Sequence, residues 1–284
     1  MDKTTLIYRY PTALTIAGSD SCGGAGIQAD LKTFSAMGVY GASVITSITA
    51  QNTTGVRGIQ AIAPDVLKGQ LDAVFEDLNI DAVKTGMLHN REAVGLVVDA
   101  VRHYCPHWLV VDPVMISTSG SRLLQDDAIE SIVSDLFPLA SLITPNLDEA
   151  AYLTGIDIRS AEKMEEAGMR LLETGCRAVL MKGGHLPGDC MVDLLCIKGQ
   201  KTPLRLLSER IDTENTHGTG CTLSSAITAS LALGKSLQEA VTDGKAYIST
   251  ALRTGADVYV GAGHGGVNHF FAPKALVKIK RTDK

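Results

Sequence analysis

Asn215-Thr216-His217-Gly218-Thr219-Gly220-Cys221-Thr222 is the stretch whose residue types and spacing point most directly to chemistry. A strand-like run, Leu204 to Ile211, leads into it. Leu223, Ala226, Ile227, Ala229 and Leu231 follow at helical spacing. A glycine-rich turn therefore opens a helix. The first N–H groups of a helix have no partner within it, and the helix dipole adds partial positive charge there. Gly218 and Gly220 leave room for a ligand to approach those groups, as in a phosphate or oxyanion cradle. Cys221 places a thiol inside the cradle. At a helix N-terminus its pKa is expected to fall below the reference of about 8.5, so Cys221 is expected to take the proton from a substrate hydroxyl. A transfer onto an already ionised phosphate would need no base. The plainer alternative is a tight turn around one small buried cysteine.

Lys182 follows the apolar run Ala178 to Met181 and supplies a cation. Asp112 and Glu149 offer hard oxygen ligands suited to magnesium, directly or through water. A cation, carboxylates and an anion cradle are the parts of phosphoryl transfer, which needs charge stabilisation, a metal and an aligned nucleophile. Some of these residues have a plainer reading too. Asn146 and Glu149 have the spacing of a helix capping box. Asp30, one turn inside a helix, faces either a ligand or water. No Walker A sequence occurs: Gly234-Lys235-Ser236 imitates its end, but Ala229 stands where the first glycine belongs. The glycines at 23, 24 and 26 do not fit GxGxxG, which argues against a nicotinamide oxidoreductase.

The elements that must hold these residues alternate between strand and helix patterns. Strand-like runs span Thr12 to Ala17, Val39 to Ile48, Asp81 to Thr85, Trp108 to Val111, Ser141 to Thr144 and Ala178 to Met181. Helical runs span Ile27 to Met37, Arg91 to His103, Asp126 to Leu136, Glu162 to Glu173 and Ser236 to Arg253, with two more beginning at Pro64 and Pro145. Thr49 to Gly55 reads as a polar turn. Met191 to Ile197 and Pro203 to Ile211 read as an antiparallel hairpin around Gly199. The alternation predicts a single doubly wound α/β domain over residues 1–284, with a mostly parallel central sheet and helices on both faces. Ligands of such sheets bind beyond the carboxyl ends of the strands. Gly18, Gly86, Asp112, Asn146, Lys182 and the Gly218 loop all follow strands, so one edge of the sheet collects the candidate residues.

Composition narrows the function classes. The 284 residues are 45% hydrophobic and 20% charged, enough to bury a large core. A net charge of −5 argues against nucleic acid or an anionic membrane surface as partner. The basic end, Lys278, Lys280, Arg281 and Lys284, reads as a solvated tail. The start is polar, without a signal-like apolar region, and no apolar run is long enough to span a membrane. Six scattered cysteines without a CxxC pair suggest a reducing cytoplasm. Cys105, Cys176, Cys190 and Cys196 read as small core or surface residues. The histidines lack HxxxH or HExxH spacing, which argues against zinc.

Ala17-Gly18-Ser19-Asp20-Ser21-Cys22-Gly23-Gly24-Ala25-Gly26-Ile27-Gln28-Ala29-Asp30 resembles the N-terminal motif of the hydroxymethylpyrimidine and phosphomethylpyrimidine kinases of thiamine biosynthesis, which have the ribokinase-like fold. Thr49-Ala50-Gln51-Asn52-Thr53, Lys84-Thr85-Gly86-Met87-Leu88, Asp112-Pro113-Val114-Met115, Ile143-Thr144-Pro145-Asn146, Met181-Lys182-Gly183-Gly184-His185 and His217-Gly218-Thr219-Gly220-Cys221-Thr222 match in the same order. The resemblance implies ATP and magnesium as cofactors. It implies phosphorylation of hydroxymethylpyrimidine, first on the hydroxymethyl group and then on the resulting phosphate. It implies that Gln51 reads the ring nitrogen and amino group, since an amide offers a paired donor and acceptor. Gly18, Ala25, Asp30, Met87, Val114 and Cys221 would complete the substrate pocket. Lys182, Asp112, Asn146, Glu149, His217, Thr219 and the Gly218–Gly220 loop would serve ATP, magnesium and the transfer itself. The resemblance also implies a homodimer. The wider fold carries Asp where this chain has Cys221. That departure fits the pyrimidine kinases and some bacterial pyridoxal kinases, so pyridoxal kinase is the alternative activity. A nucleotide-binding regulator would bind ATP without turnover.

Overall fold

The computed structural model describes residues 7–115, 123–184 and 190–281. His185, Lys284 and the side chain of Cys190, all named above, lie outside the description. The chain begins β1 (Tyr8–Arg9), β2 (Thr12–Asp20), α1 (Gly26–Ala36), β3 (Tyr40–Asn52), β4 (Gly55–Ala61), α2 (Pro64–Asp77) and β5 (Ala82–Thr85). It continues with α3 (Arg91–Tyr104), β6 (Leu109–Val111), α4 (Asp126–Ser131), β7 (Leu142–Ile143), α5 (Leu147–Thr154), α6 (Ala161–Leu172) and β8 (Ala178–Met181). The last elements are β9 (Cys190–Ile197), β10 (Leu204–Glu209), α7 (Thr219–Ala232), α8 (Leu237–Gly255) and β11 (Ile279–Lys280). The run expected to be helical to Leu136 is α4 followed by a π turn, Ile132–Leu136.

Nine strands form one sheet in the order β10-β9-β8-β7-β6-β5-β2-β3-β4. From β8 through to β3 every neighbouring pair is parallel, whereas β4 on one edge and β9 and β10 on the other are antiparallel. The sheet is therefore mostly parallel. From β2 the chain moves outward to β3, then returns to β5 on the other side of β2. That reversal makes the crevice in which doubly wound sheets bind ligands.

Alternation along the strands builds a core on each face. Leu14, Ile16, Leu109, Val111, Val179 and Met181 pack with residues of α2 to α6. Ala13, Val110, Ala178 and Leu180, one position out of step, pack with α1, α7 and α8. Helices thus cover both faces. α7 is buried from Cys221 to Ala232, because the sheet takes one side and α8 the other. This explains why its apolar stripe is blurred by Thr222, Ser224, Ser225 and Thr228, all buried.

Two expectations need correction. Thr49 to Gly55 is not simply a turn: β3 runs on to Asn52 and pairs with a further strand, β4. Gly55, Arg57 and Gly58 hid β4, since it is a half-exposed edge with little apolar alternation. The register slips between Ala50 and Gln51, a bulge that re-aims the Gln51 side chain. Gly18 does not follow its strand either. It lies within β2 at an irregularity in the pairing with β3, between Ala17 and Ser19.

The hairpin of β9 and β10, the helix stop near Gly234 and the Ser236–Glu239 capping box fall where the sequence places them. The glycine-rich tail gave no readable pattern, yet it laces the site together. His217 N donates to Gly265 O at 3.0 Å, and Gly263 N to Thr53 Oγ1 at 3.1 Å. Asn268 N donates to Ala251 O at 3.2 Å. The tail thus ties the anion turn to the β3–β4 hairpin tip and to α8.

Candidate active site

A cleft of about 1150 Å³ opens beyond the carboxyl ends of the parallel strands and receives the N-terminus of α7. Its walls include Gly18, Ala25, Gln51, Met87, Asp112, Val114, Asn146, Glu149, Lys182, His217, Gly218, Thr219, Gly220 and Cys221. Residues from seven separate segments thus converge, which a chance set of turns does not do.

The α7 turn is built by close backbone approach. Gly218 has φ +80, and a Cβ there would overlap the carbonyl oxygen of Gly24. Only glycine meets both demands. Thr219 turns its hydroxyl onto Thr216 O at 2.7 Å, bracing the turn. A Cβ on Gly220 would lie 3.3 Å from Lys182 Nζ and 3.7 Å from Asp112 Oδ2, so the lysine ammonium hangs over the first turn of the helix. Positive charge from the ammonium and from the free N–H groups converges there.

Lys182 Nζ donates to Asp112 Oδ1 at 3.0 Å. Thr144 Oγ1 donates to the same oxygen at 3.0 Å, and Ser224 Oγ to Oδ2 at 3.2 Å. Burial works against the Asp112 charge, but Lys182 and Lys84 outweigh it and hold the carboxyl below its usual range. Burial likewise opposes the Lys182 charge, and Asp112 and Glu149 hold it raised. Glu149 and Asn146 do form the capping box. Glu149 N donates to Asn146 Oδ1 and Asn146 N to Glu149 Oε2, each at 2.8 Å. Among the described residues, the other Glu149 oxygen meets only Met115 N, at 3.4 Å. Burial pushes this carboxyl up to about 7, with Lys182 opposing and Asp112 reinforcing the shift.

At the other end of the cleft, Asp20 organises the β2–α1 loop. Its Oδ1 accepts from Cys22 N at 2.8 Å, and its Oδ2 from Gly24 N at 3.0 Å and Ala25 N at 2.8 Å. Oδ2 also lies 2.8 Å from His217 Nε2. Burial resists the Asp20 charge, but His217 and these backbone donors keep its pKa lowered. One end of the Gln51 amide lies 3.4 Å from His217 Nε2 and the other 3.2 Å from Thr49 Oγ1.

The family model described as phosphomethylpyrimidine kinase matches residues 20–268. This chain belongs to that family. A hydroxymethylpyrimidine/phosphomethylpyrimidine kinase of Rhizobium meliloti is 51% identical over 259 residues, 91% of this chain and 96% of the relative. The crystal structure of a phosphomethylpyrimidine kinase from Clostridium difficile aligns with TM-score 0.75 at 49% identity, covering 85% of this chain and 99% of that one. An ADP complex of Bacillus subtilis pyridoxal kinase aligns with TM-score 0.85 at 37% identity, covering 92% and 98%. The chain is a kinase of ribokinase-like fold, and its family uses ATP.

The kinase departs from the sequence reading at three site residues. Asp30 does not face the cleft. It is fully buried behind Lys84, whose Nζ donates to both its oxygens at 2.8 and 2.9 Å. Thr15 and Ser225 hydroxyls donate to the same carboxylate, each at 2.6 Å. His217 turns its ring to Asp20 and Gln51, partners that the sequence did not give it. Cys221 is not a lowered thiol. Burial pushes it up to about 11; Lys84 opposes, and Asp30 and Asp112 add to the rise. The helix terminus was the right place, but dehydration and two carboxylates dominate there.

Sequence reasoning also left residues unassigned. Lys84 lies at the cleft wall but is fully buried behind its surface, and a lone lysine in an apolar strand was the available signal. Ser224 and Ser225 had none beyond their type, because Asp112 and Asp30 are distant in sequence; Asp20 bonds mostly within its own loop, and only its partner His217 is distant. Lys245 Nζ and Asp193 Oδ2, 2.5 Å apart, form another ion pair on the cleft wall.

Proposed function

We propose that this kinase transfers phosphate from ATP to the hydroxymethyl group of hydroxymethylpyrimidine, and then to the phosphate of that product, in thiamine biosynthesis. One observation carries the reading. A single cleft sets a paired donor and acceptor, Gln51, beside His217, and on the same turn sets the α7 N–H groups under Lys182. The first would recognise an aminopyrimidine edge, and the second would stabilise a phosphoryl group in transit. The names of the relatives at 51% and 47% identity support the substrate.

Asp112 and Glu149 suit magnesium: both are oxygen donors on the cleft wall, and among the described residues one Glu149 oxygen has only a long contact. A bound magnesium ion would neutralise phosphate charge and ionise Glu149. Cys221 is a thiol at rest, and in the first transfer it would act through its ionised fraction. The second transfer, onto an ionised phosphate, needs no such base. The exposed Val258, Tyr259 and Val260 offer apolar surface that a homodimer would cover. The free thiols Cys22, Cys105, Cys176, Cys196 and Cys221 agree with a reducing cytoplasm.

Pyridoxal kinase is the second reading, favoured by the higher TM-score to the Bacillus subtilis pyridoxal kinase. ADP release measured side by side on hydroxymethylpyrimidine, its monophosphate and pyridoxal decides. Turnover on both pyrimidines is expected, and a preference for pyridoxal would exchange the two readings.

A further inference from the structure

The Asp20–His217–Gln51–Thr49 cluster contains a hydrogen-bond conflict with one resolution. Asp20 accepts from three backbone N–H groups and lies 2.8 Å from His217 Nε2. A carboxylate cannot donate, so His217 Nε2 carries a hydrogen whether the ring is neutral or charged. That one hydrogen points at Asp20, so His217 Nε2 has neither a second hydrogen nor a lone pair for Gln51, whose Nε2 lies 3.4 Å away; an amide oxygen suits that side of the ring better than an NH2. An NH2 group there would set two donors against each other. The other end leads to the same answer. Thr49 Oγ1 lies 2.9 Å from Ser19 O and 3.2 Å from Gln51. The hydroxyl has one hydrogen, and the Ser19 carbonyl can only accept. The Gln51 atom facing Thr49 must therefore donate. The two ends of an amide have nearly the same shape, and the hydrogen-bond network assigns them. Both ends favour the reversed amide, with Oε1 toward His217 and Nε2 toward Thr49, over the orientation in which Oε1 lies 3.2 Å from Thr49 Oγ1 and Nε2 lies 3.4 Å from His217 Nε2. The His217 contact is long, so the preference comes from both ends together.

We infer that Asp20 and His217 are specificity-determining positioning residues, which lock the Gln51 amide so that it offers its acceptor on the His217 side and its donor on the Thr49 side. The inference rests on the proposed reading of Gln51 as the group that meets the pyrimidine. Oε1 keeps a lone pair and Nε2 a second hydrogen for the ligand. An aminopyrimidine must then place its ring nitrogen toward Thr49 and its exocyclic amine toward His217. The hydroxymethyl carbon is attached beside the carbon that bears the amine. This pose therefore carries the reacting hydroxyl toward the turn that begins at His217 and holds Cys221. With the amide reversed, the hydroxyl would point away from that turn. The lock thus selects both the ligand and its direction.

The probe is the oxo analogue of hydroxymethylpyrimidine, in which a carbonyl replaces the amine and the neighbouring ring nitrogen carries hydrogen. Its donor and acceptor are exchanged, so only a reversed amide can meet it. We expect the wild-type kinase to prefer the amino compound by about 100-fold or more in kcat/KM, since a fixed polar group rejects a ligand that leaves it unpaired. His217→Phe keeps a ring against Gly24 and removes the donor. It should reduce that ratio at least about tenfold, mainly by admitting the oxo analogue. His217→Gln, which can return an N–H to nearly the same place, should restore it. A merely structural role for His217 would lower activity on both compounds and leave the ratio unchanged, and that result in a folded variant overturns the inference. If His217→Phe does not fold, a crystal structure of the wild-type kinase with the aminopyrimidine decides; an amine directed at Thr49 overturns the lock. Gln51→Leu separates the two readings. A ratio lost in Gln51→Leu but kept in His217→Phe strikes the lock alone. A ratio that Gln51→Leu leaves untouched strikes Gln51 as the pyrimidine reader, and the lock with it.

Discussion

Two buried lysine–aspartate pairs flank the start of α7, and adjacent serines tie each to that helix. Lys84 and Asp30 are sealed: both side chains are 0% exposed, and Ser225 and Thr15 complete the carboxylate's partners. Lys182 and Asp112 are similarly braced, by Ser224 and Thr144, but the lysine keeps 15% of its side chain exposed to the cleft. The chemistry of the two pairs is the same and their access to water differs. A sealed pair has no charge to offer a ligand, so its effect falls on the geometry of the helix terminus. An open pair has a cation that an incoming phosphate can share.

The sealed pair should give the largest effect. Lys84→Met leaves Asp30 buried without its cation, and breaking a buried pair in this way costs about 3–5 kcal/mol. Urea denaturation should show that loss. The double variant Lys84→Met with Asp30→Leu should recover part of it, because replacing a whole pair is far less costly than halving one. A single variant as stable as wild type would mean that water reaches Asp30 and that the pair is not sealed.

Next comes the carboxyl beside the open pair. Glu149 ionises at about 7 in the folded protein against an ordinary 4.5. Between those values the folded chain holds a proton that the unfolded chain has released. Stability contributed at this position therefore falls as pH rises from about 4.5 to 7, by about 3 kcal/mol. Glu149→Gln keeps an oxygen for Asn146 N and removes the titration. The difference in unfolding free energy between the two proteins should slope across that window and be flat above it. A flat difference throughout would show that Lys182 keeps Glu149 ionised.

Lys182→Ala sharpens the contrast with Lys84. Turnover on hydroxymethylpyrimidine and on its monophosphate should each fall about 10-fold or more, the scale of losing one charge aimed at the transition state. Stability should fall less than in Lys84→Met, because the cleft admits water to Asp112. Near-normal turnover with a large stability loss would reverse the assignment of the two lysines.

These pairs also show how much was legible in the sequence. Alternating strand and helix patterns gave the doubly wound sheet, since periodicity is local. Asn146 with Glu149 and Ser236 with Glu239 declared their helix starts through spacing alone, and both boxes form. Gly218 and Lys182 stood out because glycine in a turn and a charge after an apolar run are unusual in themselves. What remained hidden depends on distance in the chain. Asp30 looks solvated until Lys84, 54 residues away, is set against it. His217 looks like part of the phosphate turn until Asp20, 197 residues earlier, turns its ring. The Cys221 expectation failed for a related reason. A helix N-terminus is visible in a sequence, but the depth of its burial and the carboxylates around it are not.

Cys221 lies between the two pairs and gives the smallest and most discriminating test. Lys84, Asp30 and Asp112 all act on its titration, and burial sets it near 11. At neutral pH the thiolate is therefore a minor species, so a base role has a signature. Single-turnover rates for the first phosphorylation should rise about tenfold, or about 1.4 kcal/mol, for each pH unit between 7 and 9, as the ionised fraction grows. The second phosphorylation should stay flat over the same range, because its phosphate nucleophile is already ionised there. Cys221→Ala should flatten the first profile and lower it more than the second. Cys221→Asp supplies a base that is ionised throughout and should flatten the first profile without the same loss. If instead both steps respond equally to pH and to Cys221→Ala, the thiol only fills space between two ion pairs. The proton then leaves the hydroxyl after the phosphoryl group has moved, as a loose transition state permits.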